Sequence, residues 1–151
     1  MTVYFGLPLH FYKKGLTNLF HTSTKMTVLL SAQIFAFFTG IVILFQACLA
    51  AGLPWGAASM GGKYPGKYPP RMRLFALFNI LVLILITAIV LSRAGLFLPQ
   101  WMPIAKIAIW VIVVLLFAGT VMNTITPSKI ERIWAPVALI QMITSAIIAL
   151  S

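Results

Sequence analysis

MTVLLSAQIFAFFTGIVILFQACLAAGL, residues Met26–Leu53, runs for 28 residues without a formal charge. As a helix it would measure about 42 Å at 1.5 Å per residue, against roughly 30 Å of hydrocarbon in a bilayer. The run therefore predicts a membrane-spanning helix that tilts or projects beyond the apolar core. Outward from it the pattern repeats in Leu74–Leu91, Ile104–Met122 and Ile133–Leu150. The four stretches together contain one formal charge, Lys106, near an end. Each is close to or above the roughly 20 apolar residues a span requires. The expected fold is all-α: a transmembrane bundle of four helices over 26–53, 74–91, 104–122 and 133–150. Hydrophobic residues make up 62% of the 151-residue chain, well above the roughly 45–50% of soluble domains. No stretch is long or polar enough to form a separate soluble domain.

Residues 1–25 are mixed in character. Leu9, Tyr12, Leu16, Leu19 and Phe20 recur at three- and four-residue steps, with Lys13, Lys14, Thr17 and Asn18 on the other side. That spacing fits a short amphipathic helix lying among lipid headgroups, its lysines toward phosphate. A poorly ordered tail is the alternative, and Met26 is a second place where translation could begin.

Charge is strongly one-sided. Glu131 is the only acidic residue, against 11 Lys and Arg, for a net charge of +10. The cations flank the apolar spans, where each contact with an anionic headgroup contributes about 1 kcal/mol. A bilayer with anionic headgroups is thus the expected partner. Nucleic acid is not, because no soluble basic module is present. The connector Pro54–Arg73 holds four of the cations, Lys63, Lys67, Arg71 and Arg73, as candidate anionic-lipid contacts. Its glycines and prolines forbid a continuous helix, and its Trp and Tyr prefer the interface. An interfacial loop is expected, with a re-entrant segment as the alternative, since irregular backbone inside the bilayer must be covered by protein. Loops 54–73 and 123–132 carry six cations, counting Lys129 and Arg132, against Lys13, Lys14, Lys25, Arg93 and Lys106 on the other side. The positive-inside rule places both loops in the cytoplasm of a multi-pass cell-membrane protein.

Cys48 is the only cysteine, so no intrachain disulfide forms. Phe45-Gln46-Ala47 before it fits a lipoprotein cleavage site poorly, and an ordinary buried thiol is expected. Five amides fall in or beside the spans: Gln33, Gln46, Asn79, Asn123 and Gln141. Counting along the helices puts Gln46, Asn79 and Asn123 toward the end of the two basic loops, together with Glu131 and Arg132. These five residues form a candidate polar site at one mouth of the bundle. The competing explanation is structural, since such amides commonly hydrogen-bond across membrane helices for about 0.6–2 kcal/mol each. Ser128-x-x-Glu131 has the spacing of a capping box. Ala36-x-x-x-Gly40, Ala47-x-x-x-Ala51 and Ser145-x-x-x-Ala149 have small-residue spacings that allow close helix approach.

Catalytic constellations are missing. The chain has no Asp, and His10 and His21 lie outside the spans without Cys or carboxylate neighbours at ligand spacing. No cofactor, metal or enzymatic role is expected. The expected role is interaction, as a self-assembling protein or as an accessory subunit beside a membrane-protein partner. The alternative is a small oligomeric carrier or channel for a small solute or ion.

Leu53-Pro-Trp-Gly-Ala57 with Gly61-Gly62 and Pro70-Arg-Met-Arg73, together with Asn123 and Ser128-x-x-Glu131-Arg132-x-Trp134-x-Pro136, resembles a group of small bacterial four-span integral membrane proteins. The resemblance runs from Met26 to the C-terminus and implies no activity. It implies that the connector and the Glu131–Trp134 segment belong to one feature on one membrane face.

Overall fold

A computed structural model describes residues 9–151, apart from the side chains of residues 9–16 and 18. Residues 1–8, and the side chains of Leu9, Tyr12, Lys13, Lys14, Leu16 and Asn18 that define the amphipathic pattern, lie outside what is described. The described chain is all-α. Its helices are α1 (Leu9–Ala51), α2 (Pro70–Arg93), α3 (Met102–Ile125) and α4 (Trp134–Leu150), joined by short 3₁₀ turns. Four helical segments are long and apolar enough to cross a membrane: Leu19–Ala51, Pro70–Arg93, Pro99–Ile125 and Glu131–Leu150. The protein is a multi-pass membrane protein.

Helix ends lie where backbone chemistry stops the helix: α2 and α3 run past their apolar stretches, whereas α1 stops at Ala51, short of Leu53. Pro70 opens α2, in a first-turn position where its missing N–H costs nothing. α1 closes with Gly52 N–H donating to Leu49 O and Leu53 N–H to Cys48 O. α2 closes the same way, with Gly95 N–H to Ser92 O and Leu96 N–H to Leu91 O. Both are Schellman endings. α3 continues to Ile125, just before Pro127.

The N-terminal segment and the first span form a single 43-residue helix. Nothing between Thr17 and Met26 interrupts it: there is no Gly or Pro, and Thr24 and Thr27 donate their hydroxyls back to Phe20 O (2.9 Å) and Ser23 O (3.0 Å). A polar stretch changes what a helix faces without ending it. Val28 is the first α1 residue packed against the core cluster, so the 19 residues of Leu9–Thr27 run about 28 Å ahead of that cluster at 1.5 Å per residue. Thr22, Ser23 and Met26 still line a pocket with Thr144 and Ile147 of α4.

The bundle is a four-sided ring: α1 packs on α2 and α4, and α3 packs on α4 and α2. Its core has two parts. Ala32, Phe35, Val90, Ile109, Ile112 and Ile148 fill the end where α2 turns into α3. There the Arg93 guanidinium donates to Ala149 O at 3.1 Å, satisfying a terminal carbonyl of α4. Phe45, Leu49, Ala58, Tyr68 and Ala76 fill the connector end. Midway, Gln141 Nε2 donates to Thr39 Oγ1 at 2.7 Å, with both residues buried, tying α4 to α1. Gln141 thus has the bundle-holding role weighed for the amides as a group.

The small-residue spacings behave unevenly. Ser145 is fully buried on the α4 packing face, but Gly40, Ala47 and Ala51 of α1 are exposed. A Cβ added at Gly40 would meet no neighbouring atom within 4 Å. α1 packs instead through Ser31, Ala32, Phe35, Thr39, Phe45 and Leu49, one helical stripe that mixes small and large side chains.

Candidate functional site

The connector has no regular secondary structure beyond two short 3₁₀ turns, Gly56–Ala58 and Met60–Gly62. It folds back onto the bundle mouth instead of lying free at the surface. Ala58 and Tyr68 are core residues, 7% and 3% exposed. The interfacial position expected for the tyrosines therefore fails for Tyr68, which packs inward and edge-to-face against Tyr64 at 6.0 Å. At its tip Met60, Gly61 and Gly62 all take left-handed φ angles, 56°, 68° and 75°. An ordinary L-residue pays about 1–2 kcal/mol for that conformation, and glycine at two of the three positions removes most of the cost.

Three hydrogen bonds fasten this lid to the segment entering α4. Ser128 Oγ donates to Ala57 O at 2.6 Å, Trp134 Nε1 donates to Ala58 O at 2.9 Å, and Gly61 N–H donates to Glu131 Oε2 at 2.8 Å. Thr126 donates its hydroxyl to the same carboxylate oxygen. The connector and the Glu131–Trp134 segment are therefore physically one feature. The capping box expected at Ser128 is half formed. Glu131 N–H donates weakly to Ser128 Oγ at 3.4 Å, but the Ser128 N–H turns to Thr126 Oγ1, also at 3.4 Å. The Glu131 carboxylate leaves its own helix because Gly61 and Thr126 offer it better-placed donors.

Under the lid, between all four helices, lies a cavity of about 360 Å³. Gln46 of α1, Asn79 of α2, Asn123 of α3 and Glu131 line it, along with Ser59 and Gln141. Phe45 and Trp134, with ring centroids 4.6 Å apart, form an aromatic wall. Ile86, Ile112 and Leu116 also line it, and they belong to or pack against the opposite core cluster. The amides of Gln46, Asn79 and Asn123 are partly buried and make no hydrogen bond to the protein among the described residues.

Arg132 is the member of the expected polar site that the fold removes. It is exposed, does not line the cavity, and points its Nε and Nη2 at Thr126 O, at 3.3 and 3.2 Å. Glu131 forms no ion pair with it or with any other cation among the described residues. Ser59 as a lining residue and Thr126 as the partner of Glu131 carry no periodic signal in the sequence, whereas Trp134 falls at the same end as Glu131 by residue count and the fold makes it a wall.

The four lipid-contact candidates also divide. Lys63, Lys67 and Arg71 are exposed, with the Lys63 ammonium 5.7 Å from the Tyr64 ring centroid. Arg73 is half-buried and engaged: its Nε donates to Tyr68 O at 2.9 Å, and its guanidinium covers Gly52 so closely that a Cβ there would lie 2.7 Å from it. It is a clamp on the end of α1. Cys48 is half-buried and lines a separate apolar groove of about 520 Å³, with Trp55, Ile130 and Ile133, on the outer side of α1 and α4. No group of three or more metal-ligating side chains gathers among the described residues. No family model matches the chain, and no curated protein or solved structure matches it either.

Proposed function

We propose that this protein binds a small polar solute in the cavity beneath the connector, as a non-enzymatic carrier or receptor in the membrane. One observation carries the reading: three amides, from three different helices, converge on one cavity without a protein hydrogen-bond partner. Their polar atoms are open to the cavity and not sealed inside the bundle, whereas amides kept only for bundle stability would be expected to pair as Gln141 pairs with Thr39. The two segments behind the bacterial four-span resemblance meet at the lid, which supports treating them as one functional unit. The cavity is polar at the lid and apolar toward the α2–α3 turn, so access from the side of the basic loops is favoured.

The second reading is an interaction or accessory protein. It is supported by the exposed apolar side chains of the N-terminal part of α1, Leu19, Phe20 and Met26. Replacing Asn79 and Asn123 together with Leu separates the two. Native mass spectrometry of wild type released gently from its own membrane should show the chain carrying a small molecule, and the folded double variant should fly without it. Wild type and variant that both travel free of any small molecule, bound to the same partner protein, would replace the first reading with the second.

We further place loops 54–73 and 123–132 in the cytoplasm, on the excess of cations there. Lys63→Cys in a Cys48→Ala background should resist a membrane-impermeant thiol reagent in intact cells and react after permeabilisation. Labelling in intact cells would reverse the orientation.

A further inference from the structure

We infer that the cavity selects a small organic cation, with an ammonium- or guanidinium-type head, and that Glu131 recognises its charge. This rests on the solute-binding reading above and adds the class of ligand.

Glu131 carries the only side-chain carboxylate in a chain of net charge +10. Its Oε2 takes both available protein donors, the Gly61 N–H at 2.8 Å and the Thr126 hydroxyl. Its Oε1 accepts no hydrogen bond among the described residues, and Glu131 lines the cavity. Eleven Lys and Arg are available to the chain, yet none among the described residues pairs with it. Arg132, adjacent in sequence, spends its guanidinium on Thr126 O. The carboxylate is thus fixed in place by two donors while its charge is left without a protein counter-ion. In a partly buried pocket that charge attracts a cation more strongly than it would in bulk solvent and repels an anion.

The remaining walls suit the same ligand. The side-chain carbonyls of Gln46, Asn79 and Asn123 supply hydrogen-bond acceptors for an N–H-bearing head. Phe45 and Trp134 add aromatic carbon to the lining, which suits the alkyl part of such a cation. A cavity of about 360 Å³ is far larger than a bare metal ion needs and has room for an organic cation of several heavy atoms.

Isothermal titration of the detergent-solubilised full chain tests this with methylammonium, tetramethylammonium and guanidinium chlorides, against acetamide as the neutral comparator and sodium chloride as the salt control. At least one organic cation should bind saturably and at least tenfold more tightly than acetamide. Glu131→Gln keeps an acceptor for Gly61 and Thr126 but removes the charge, and should weaken that binding at least tenfold. Asn123→Asp leaves every Glu131 bond intact and adds a second negative charge, so it should tighten cation binding severalfold. The second variant keeps the test decisive if Glu131→Gln does not fold. Acetamide binding as tightly as the cations, without change in Glu131→Gln, overturns the charge selection and leaves the cavity reading standing. Cation binding unaffected by both variants places the cation elsewhere and overturns the proposal. Failure of every probe, charged and neutral, to bind wild type overturns the ligand class, and the cavity reading then stands or falls on the Asn79 and Asn123 variants.

Discussion

Gly56→Ala is expected to cost about 3 kcal/mol or more, at or above the top of the usual range for overpacking a well-filled site. A Cβ at this position would sit 2.1 Å from the carbonyl oxygen of Tyr64, 2.9 Å from that of Gly66 and 3.0 Å from a ring carbon of Tyr68. Two of the three obstacles are backbone atoms, which cannot rotate aside. Gly56 N–H also donates to Gly66 O at 3.0 Å, so moving the strands of the connector apart would break the bond that closes the loop. Gly40→Ala is the matched control. Its Cβ meets open space, and alanine inside a helix is better than glycine by roughly 0.5–1 kcal/mol. Denaturant unfolding in detergent micelles should therefore separate the two alanine variants by several kcal/mol in opposite directions. A Gly56→Ala protein with wild-type stability would mean that the connector is not folded against itself as described.

Trp134→Ala should be the next most damaging change, at about 3 kcal/mol, the lower end for large aromatic truncations because the residue is half-buried. It removes the ring that packs on Phe45 at 4.6 Å and the N–H that holds Ala58 O at 2.9 Å. Trp134→Phe keeps one aromatic ring toward Phe45 but deletes the donor and part of the indole, so its cost should fall below that of alanine, at about 1–2 kcal/mol. Because Trp134 both walls the cavity and fastens the lid, the alanine variant should also expose the connector. Trypsin cutting after Lys63 and Lys67 should be faster in Trp134→Ala than in Trp134→Phe or wild type. Equal cutting in all three proteins would show that the lid is held without Trp134.

Much of the architecture is legible in the sequence because hydrocarbon imposes a local rule. A chain crossing it must be apolar over about 20 residues and must satisfy its own backbone, so each of the four spans can be read from its own residues. Helix limits are less legible. Hydropathy ends the second span at Leu91 and begins the first at Met26, whereas the helices end where Gly95 caps α2 and run without a break through Lys25. Helix termination is decided by caps, prolines and backbone hydrogen bonds, which apolarity does not track.

The candidate site was legible in part. Gln46, Asn79 and Asn123 could be brought to one mouth by counting residues along helices of known direction, and the fold sets them around one cavity with Glu131. Arg132 shared that mouth by the same count, and no residue count shows that its guanidinium turns back to Thr126 O. Gly40 fits the small-residue spacing and yet faces outward. That spacing marks a surface on which helices can approach, without stating that one does.

By itself, then, the sequence determined that this chain crosses the membrane as four helices and that its polar side chains concentrate toward one end. Both follow from residue type and helical spacing, which act locally. Only the tertiary structure decided that Gly61 N–H meets Glu131 across a separation of 70 residues, that Trp134 meets Ala58 across 76, and that three amides are left facing a cavity. Those contacts join irregular backbone to helix ends. They depend on left-handed turns, donor direction and the packing of four helices at once, and none of these leaves a period in the sequence.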